Sequence, residues 1–159
     1  MCTLFTIHTS RINPPVLFTA VFFVLMLLLT TVSAEEADTK VALIAARGSG
    51  IEAMNIRDVR RLYLGFAPAG NKSVKNPVLN VQSKSVYDDF LKNIMHMTEG
   101  SYKRKLVKRI FRQGSSDITE VSSHKELNEH LLQNVGDISF IEFSYVENME
   151  NVEVIQTLW

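Results

Sequence analysis

Hydrophobic positions along this chain fall into three patterns. One is a single uncharged run, VLFTAVFFVLMLLLTTV, from Val16 to Val32. The second is a series of short apolar stretches: VALIAA at 41–46, VLNV at 78–81, ITEV at 118–121, ISFIEF at 138–143 and VEVI at 152–155. Stretches of this length, bounded by Gly, Asn, Asp or Pro, read as strands. VALIAA, apolar throughout, reads as a strand buried on both faces. The third pattern is helical spacing. Ile56, Val59, Leu62 and Tyr63 share a helix face, opened by Asn55 as N-cap with Asp58 in the first turn and stopped by Gly65. Phe90, Leu91, Ile94 and Met95 form a second face behind a start at Ser85, and Gly100-Ser101 is expected to break that helix. Tyr102, Leu106, Ile110 and Phe111 define a third helix over about 102–112. Leu127, Leu131 and Leu132 follow the capping box Ser123-His124-Lys125-Glu126. Strands separated by helices predict a layered α/β domain with parallel pairing.

The N-terminal run changes the reading of the composition. It follows a polar segment holding Arg11, and it ends in Val32-Ser33-Ala34 before the acidic Glu35-Glu36. This is the pattern of a secretory signal peptide over residues 1–34, leaving a domain over 35–159 that is periplasmic or secreted and keeps no stable membrane span. The other reading is a retained anchor, for which the run is near the lower length limit of a span. Much of the 46% hydrophobic content is concentrated here. The only cysteine, Cys2, lies in the same segment, so the exported domain is expected to fold on its core alone, without disulfides. Loss of Arg11 leaves 16 basic and 17 acidic residues, which gives no bulk attraction to a polyanion and no nucleic-acid partner.

The stretches Arg60-Arg61-Leu62-Tyr63-Leu64-Gly65, Asn80 to Phe90, YKRKLVKRIFRQG at 102–114 and Gly136-Asp137-Ile138-Ser139-Phe140 occur in a familiar order and spacing. Together they resemble the phosphate-binding-protein-like members of the periplasmic solute-binding superfamily, over nearly all of residues 40–155. Full-size relatives have two lobes closing on a ligand, and this chain has length for one. The resemblance therefore implies a single periplasmic-binding-protein-like lobe, α/β, with a mostly parallel sheet flanked by about four helices. It implies an exported solute-binding-protein-like domain whose ligand is phosphate or another small oxyanion, with no cofactor and no catalysis. It also implies that Tyr63 and Leu64 pack in the core and that Gly65 ends the helix.

The anion-holding phrase of that family, Arg-x-Asp-x-Ser-Gly-Thr, falls on Asn80, Gln82, Lys84, Ser85 and Val86 here, and none of its residues is kept. Ser83, Lys84 and Ser85 remain at a helix start, where backbone N–H groups and the helix dipole favour an anion. The alternative is a plain Ser85 N-cap beside an exposed lysine. Gly48 and Ser49, in the loop after the first strand, are candidate helpers whose amides could cradle an oxyanion, or they are simply a turn. Lys103, Arg104, Lys105, Lys108, Arg109 and Arg112 make the third helix basic. They form either a solvated face or, through Lys103, Arg104 and Arg109, a contact for an acidic envelope protein. His96, His124 and His130 lack metal-ligand spacing, and no nucleophile elbow occurs. Two functions therefore fit the sequence: a small-anion binder, and a non-catalytic envelope interaction or sensory module that has lost the ligand site.

Overall fold

The structure, a computed structural model, describes residues 39–67, 70–114 and 118–159. The expected signal peptide at 1–34 lies outside the described residues. Among those described, no helix is long and apolar enough to cross a membrane.

Strand β1 (Val41–Ala46) is buried at every position, as its unbroken apolar run requires. It lies between β4 (Ile138–Glu142) and β5 (Val152–Thr157) in a three-stranded sheet. Both of its pairings are antiparallel, with Ala45 opposite Ile138 and Ala46 opposite Val152. Strands β2 (Val78–Asn80) and β3 (Thr119–Val121) pair in parallel, and Pro77 bridges Ile138 in the parallel sense. Four strands thus run one way and β1 runs against them. The lobe is α/β, but parallel pairing is corrected at β1. Direction is dictated where a crossover helix joins neighbouring strands. The partners of β1 enter the chain more than ninety residues later, so no such connection constrains it.

Helices cover both faces of the sheet. Alternation along β1 sends Val41, Leu43 and Ala45 to one core and Ala42 and Ile44 to the other. The first core takes α1 (Ile56–Tyr63), α2 (Lys84–Asp89) with the π-helical turn Phe90–Met95 that continues it, and Tyr102 of α3 (Glu99–Gln113). The second takes Leu127 and Leu131 of α4 (His124–Gln133), with Val146 of the single turn α5 (Phe143–Val146) at its edge. Phe90 and Phe140 stack at 4.0 Å with rings 6° from parallel, and Tyr63 meets the Phe90 ring edge-on at 4.7 Å. The Tyr63 hydroxyl donates to the Val78 carbonyl (3.2 Å), and the Tyr102 hydroxyl donates to the Tyr63 carbonyl (2.7 Å). These bonds tie α1, β2 and α3 around one aromatic cluster.

Local punctuation follows the sequence in α1 and departs from it later. Asn55 caps α1 through the Arg57 amide. Its C-terminus is a Schellman turn: Phe66 N–H reaches the Arg61 carbonyl and Gly65 N–H the Leu62 carbonyl, with Gly65 at φ +77°. Gly100 and Ser101, expected to break a helix, instead lie in the first turn of α3. Thr98 is its N-cap, and its hydroxyl accepts the Ser101 amide. The chain reverses earlier, at His96, which adopts φ 54°. A glycine is tolerated in a first turn because the amides there have no intrahelical partners to lose.

Candidate functional site

Strands β2, β3 and β4 end on the same side of the lobe. Beyond those ends Asn80, Gln82, Ser83, Val86, His124, Ile141 and Glu142 surround a notch of about 10 Å³. That is room for roughly one water. Asn80 is 4% exposed and serves as a strut: its Nδ2 donates to the Phe140 carbonyl (3.1 Å) and its Oδ1 accepts the Gln82 amide (3.2 Å). Glu142 adds a carboxylate to the lining. The His124 ring lies 4.1 Å from that of Tyr145. Burial lowers the pKa of His124, against an upward pull from Glu142.

Ser83, Lys84 and Ser85 come together at the start of α2. Ser83, not Ser85, is the N-cap, and its side chain makes no capping bond; its Oγ lies 3.1 Å from Ser85 Oγ. Ser85 falls in the first turn, so the plain Ser85 N-cap is corrected. Lys84 pairs with Asp88 and, at 3.5 Å, with Glu99. The hydrogen bond to Asp88 is the main reason its pKa is raised. Two carboxylates therefore answer its charge, which weakens any pull on an outside anion.

Gly48 and Ser49 lie elsewhere. Because β1 runs against β2 and β4, the loop that follows β1 sits at the opposite end of the sheet from Ser83. Ser49 Oγ donates to Glu153 (3.1 Å) and accepts the Ile51 amide (3.3 Å), and Gly48 has open space around it. One cluster of candidate residues is thus assembled and the other is separated from it by the length of β1.

The basic helix is partly occupied. Lys103 pairs with Glu99 at 2.8 Å, and Arg104 donates to Ser101 Oγ (3.1 Å). Arg109 folds back over the end of α1: its Nη1 donates to the Leu64 carbonyl (3.1 Å) and its guanidinium sits 4.2 Å from the centre of the Phe66 ring. A Cβ on Gly65 would stand 3.0 Å from Arg109 Nε, so the glycine gives the arginine its seat.

A larger cleft, of about 540 Å³, opens at the N-terminal ends of β2, β3 and β4. Asp137, 4% exposed, holds its inner wall. Its Oδ1 accepts the backbone amide and Nδ2 of Asn76 (both 3.1 Å), and its Oδ2 lies 3.0 Å from His130 Nε2. Arg109, Lys75 and Phe66 also line the cleft. The sequence shows Asp137 only as part of the Gly136–Phe140 stretch and His130 only as a histidine without metal-ligand spacing. The one available signal was their placement on either side of the Asn134–Gly136 turn, which folds the end of α4 back onto the start of β4.

No protein-family model and no curated protein matches this chain. Solved structures do. PstS from Borrelia burgdorferi matches with a TM-score of 0.55 at 16% identity, over 74% of this chain and 47% of its own. An ABC-type phosphate transport receptor from Vibrio cholerae matches at 14% identity and a TM-score of 0.48, over 74% and 46%. A possible phosphate binding protein from Planctomyces limnophilus gives 14% and 0.44, over 74% and 42%. The chain spans about half the length of these structures. At 16% identity the match to PstS speaks to architecture alone: this chain has the fold of a solute-binding-protein lobe.

Proposed function

We propose that this protein is an exported, solute-binding-type lobe that acts as a non-catalytic interaction or sensory module of the cell envelope and holds no phosphate at its strand ends. The carrying observation is Asn80. At the position where the resemblance would put an anion-holding arginine, a buried asparagine bonds β2 to β4 instead. The notch beyond it has room for about one water and carries the Glu142 carboxylate, which repels an anion.

The test follows amide chemical shifts of Gln82 to Tyr87 while phosphate is added to the exported protein, up to about 10 mM, which would register even a millimolar Kd. These amides are expected to stay in place. A saturable shift there, abolished in Ser83→Ala/Ser85→Ala, would restore phosphate binding by Ser83, Lys84 and Ser85.

A further inference from the structure

We infer that the cleft at the N-terminal ends of β2, β3 and β4 is a binding site for a small organic acid, with Lys75 and Arg109 drawing its carboxylate and Phe66 and Pro77 offering an apolar wall to its body. Among the described residues of the lining Asp137 is the only acidic one, and both of its oxygens are engaged, one by Asn76 and the other by His130. Its carboxylate is therefore directed into the wall. Among the described residues no carboxylate pairs with Lys75 or Arg109. The cleft thus carries two cations that no described carboxylate answers.

Arg109 is also set in advance. Its bond to the Leu64 carbonyl and its stacking on Phe66 fix the guanidinium before any ligand arrives, and its buried Nε has no hydrogen-bond partner. A cation held this way loses little side-chain freedom on binding. Volume and lining decide the ligand class. About 540 Å³ lies within the range of small-molecule sites and leaves far more room than one inorganic oxyanion would fill. Leu62, Phe66, Pro77 and Ile118 make part of the wall apolar, which suits a carbon skeleton. The site is at the opposite end of the strands from the usual ligand position of an open α/β sheet.

The experiment uses the exported protein purified from cells expressing the full chain. Benzoate, its neutral relative benzyl alcohol, and inorganic phosphate are each titrated by calorimetry up to about 10 mM, with amide shifts followed in parallel. Saturable benzoate binding is expected, with shifts at Lys75, Thr119 and Asn134 and with benzyl alcohol weaker by about tenfold, the loss of a charged hydrogen bond. Lys75→Gln, at an exposed position, is expected to weaken benzoate binding by about three- to fivefold with an unchanged melting temperature. Arg109→Gln should weaken it further. If that variant does not fold, Lys75→Gln and benzyl alcohol still decide the matter. Absence of benzoate binding, equal binding of benzyl alcohol, or phosphate binding in this cleft without benzoate would each overturn the inference. Shifts confined to Gln82–Tyr87 would overturn it and would also contradict the closed strand end, whereas silence at both ends would overturn the cleft alone.

Discussion

Gly65→Ala tests how the end of α1 is built, with Gly48→Ala as its control. Both glycines sit at φ +77°, where a side chain is strained by about 1 kcal/mol. At Gly48 nothing lies within 4 Å of a new Cβ, so strain is the whole effect. At Gly65 the new Cβ would stand 3.0 Å from Arg109 Nε and 3.3 Å from its Cδ. The arginine must move, weakening its hydrogen bond to the Leu64 carbonyl, worth about 1 kcal/mol, and its contact with Phe66, worth about 0.5–1 kcal/mol. Gly65→Ala should therefore destabilise by about 2–3 kcal/mol against about 1 kcal/mol for Gly48→Ala. Urea unfolding measures both, and in a domain of this size each kcal/mol also moves the melting temperature by about 3–5 °C. In an Arg109→Ala background the clash is gone, and Gly65→Ala should fall to the strain alone, a coupling of about 1–2 kcal/mol. Equal effects of the two glycine substitutions, or an excess that persists without Arg109, would refute the account.

Asn80→Ala should destabilise by about 2 kcal/mol in urea unfolding, since it leaves the buried Phe140 carbonyl and the Gln82 amide without their partner. Two tyrosines should part company. Tyr63→Phe loses the bond to the Val78 carbonyl, at about 1 kcal/mol, whereas Tyr87→Phe should be neutral or slightly stabilising because the buried Tyr87 hydroxyl has no partner. Burial pushes Tyr87 up to about 12, so absorbance titration should show a late phase missing in Tyr87→Phe. The fold favours the neutral phenol, so the associated stability is complete below pH 10 and is lost as pH rises through about 12. His124 works in the opposite direction on the pH scale. Burial lowers its pKa from the ordinary 6.5, so its contribution is present above pH 6.5 and lost as pH falls through the depressed folded value. Proton NMR of the imidazole should show a midpoint below 6.5, and His124→Gln should flatten the acid-side loss of melting temperature.

Much of the architecture was legible because it rests on local chemistry. The unbroken run at 41–46 gave a strand buried on both faces, Asn55 gave the start of α1, and Gly65 its end. Ser123 caps α4 as read, although Glu126 reaches back to the Ser122 amide and not to that of Ser123. What the sequence hid depends on contacts distant along the chain. The direction of β1 is set by strands formed near the C-terminus, so no local pattern encodes it. The break before α3 falls at His96, whose left-handed conformation is supported by Met97 N–H bonding back to the Leu91 carbonyl. The π-helical turn over Phe90–Met95 has the same apolar spacing as an ordinary helix end. Arg60 donates through Nε to the Ile94 carbonyl at 2.6 Å and closes that turn from another helix.

The reversal of β1 also determines where chemistry can gather. In an all-parallel sheet the Gly48–Ser49 loop and the Ser83–Ser85 cluster would share one end, and their amides, hydroxyls and Lys84 could converge on one anion. With β1 reversed, the strand ends keep only Ser83, Lys84 and Ser85. Asp88 and Glu99 answer the lysine there, and Glu142 lines the notch. At the other end stand Lys75 and Arg109, with which no described carboxylate pairs, and the Asp137 carboxylate there is held by Asn76 and His130. On the proposed reading, charge that attracts an anion and volume that admits one coincide at the N-terminal ends of the strands and not at the C-terminal ends. Removing the Glu142 charge would change the sign of only one of those conditions: the space beyond Asn80 would still admit about one water.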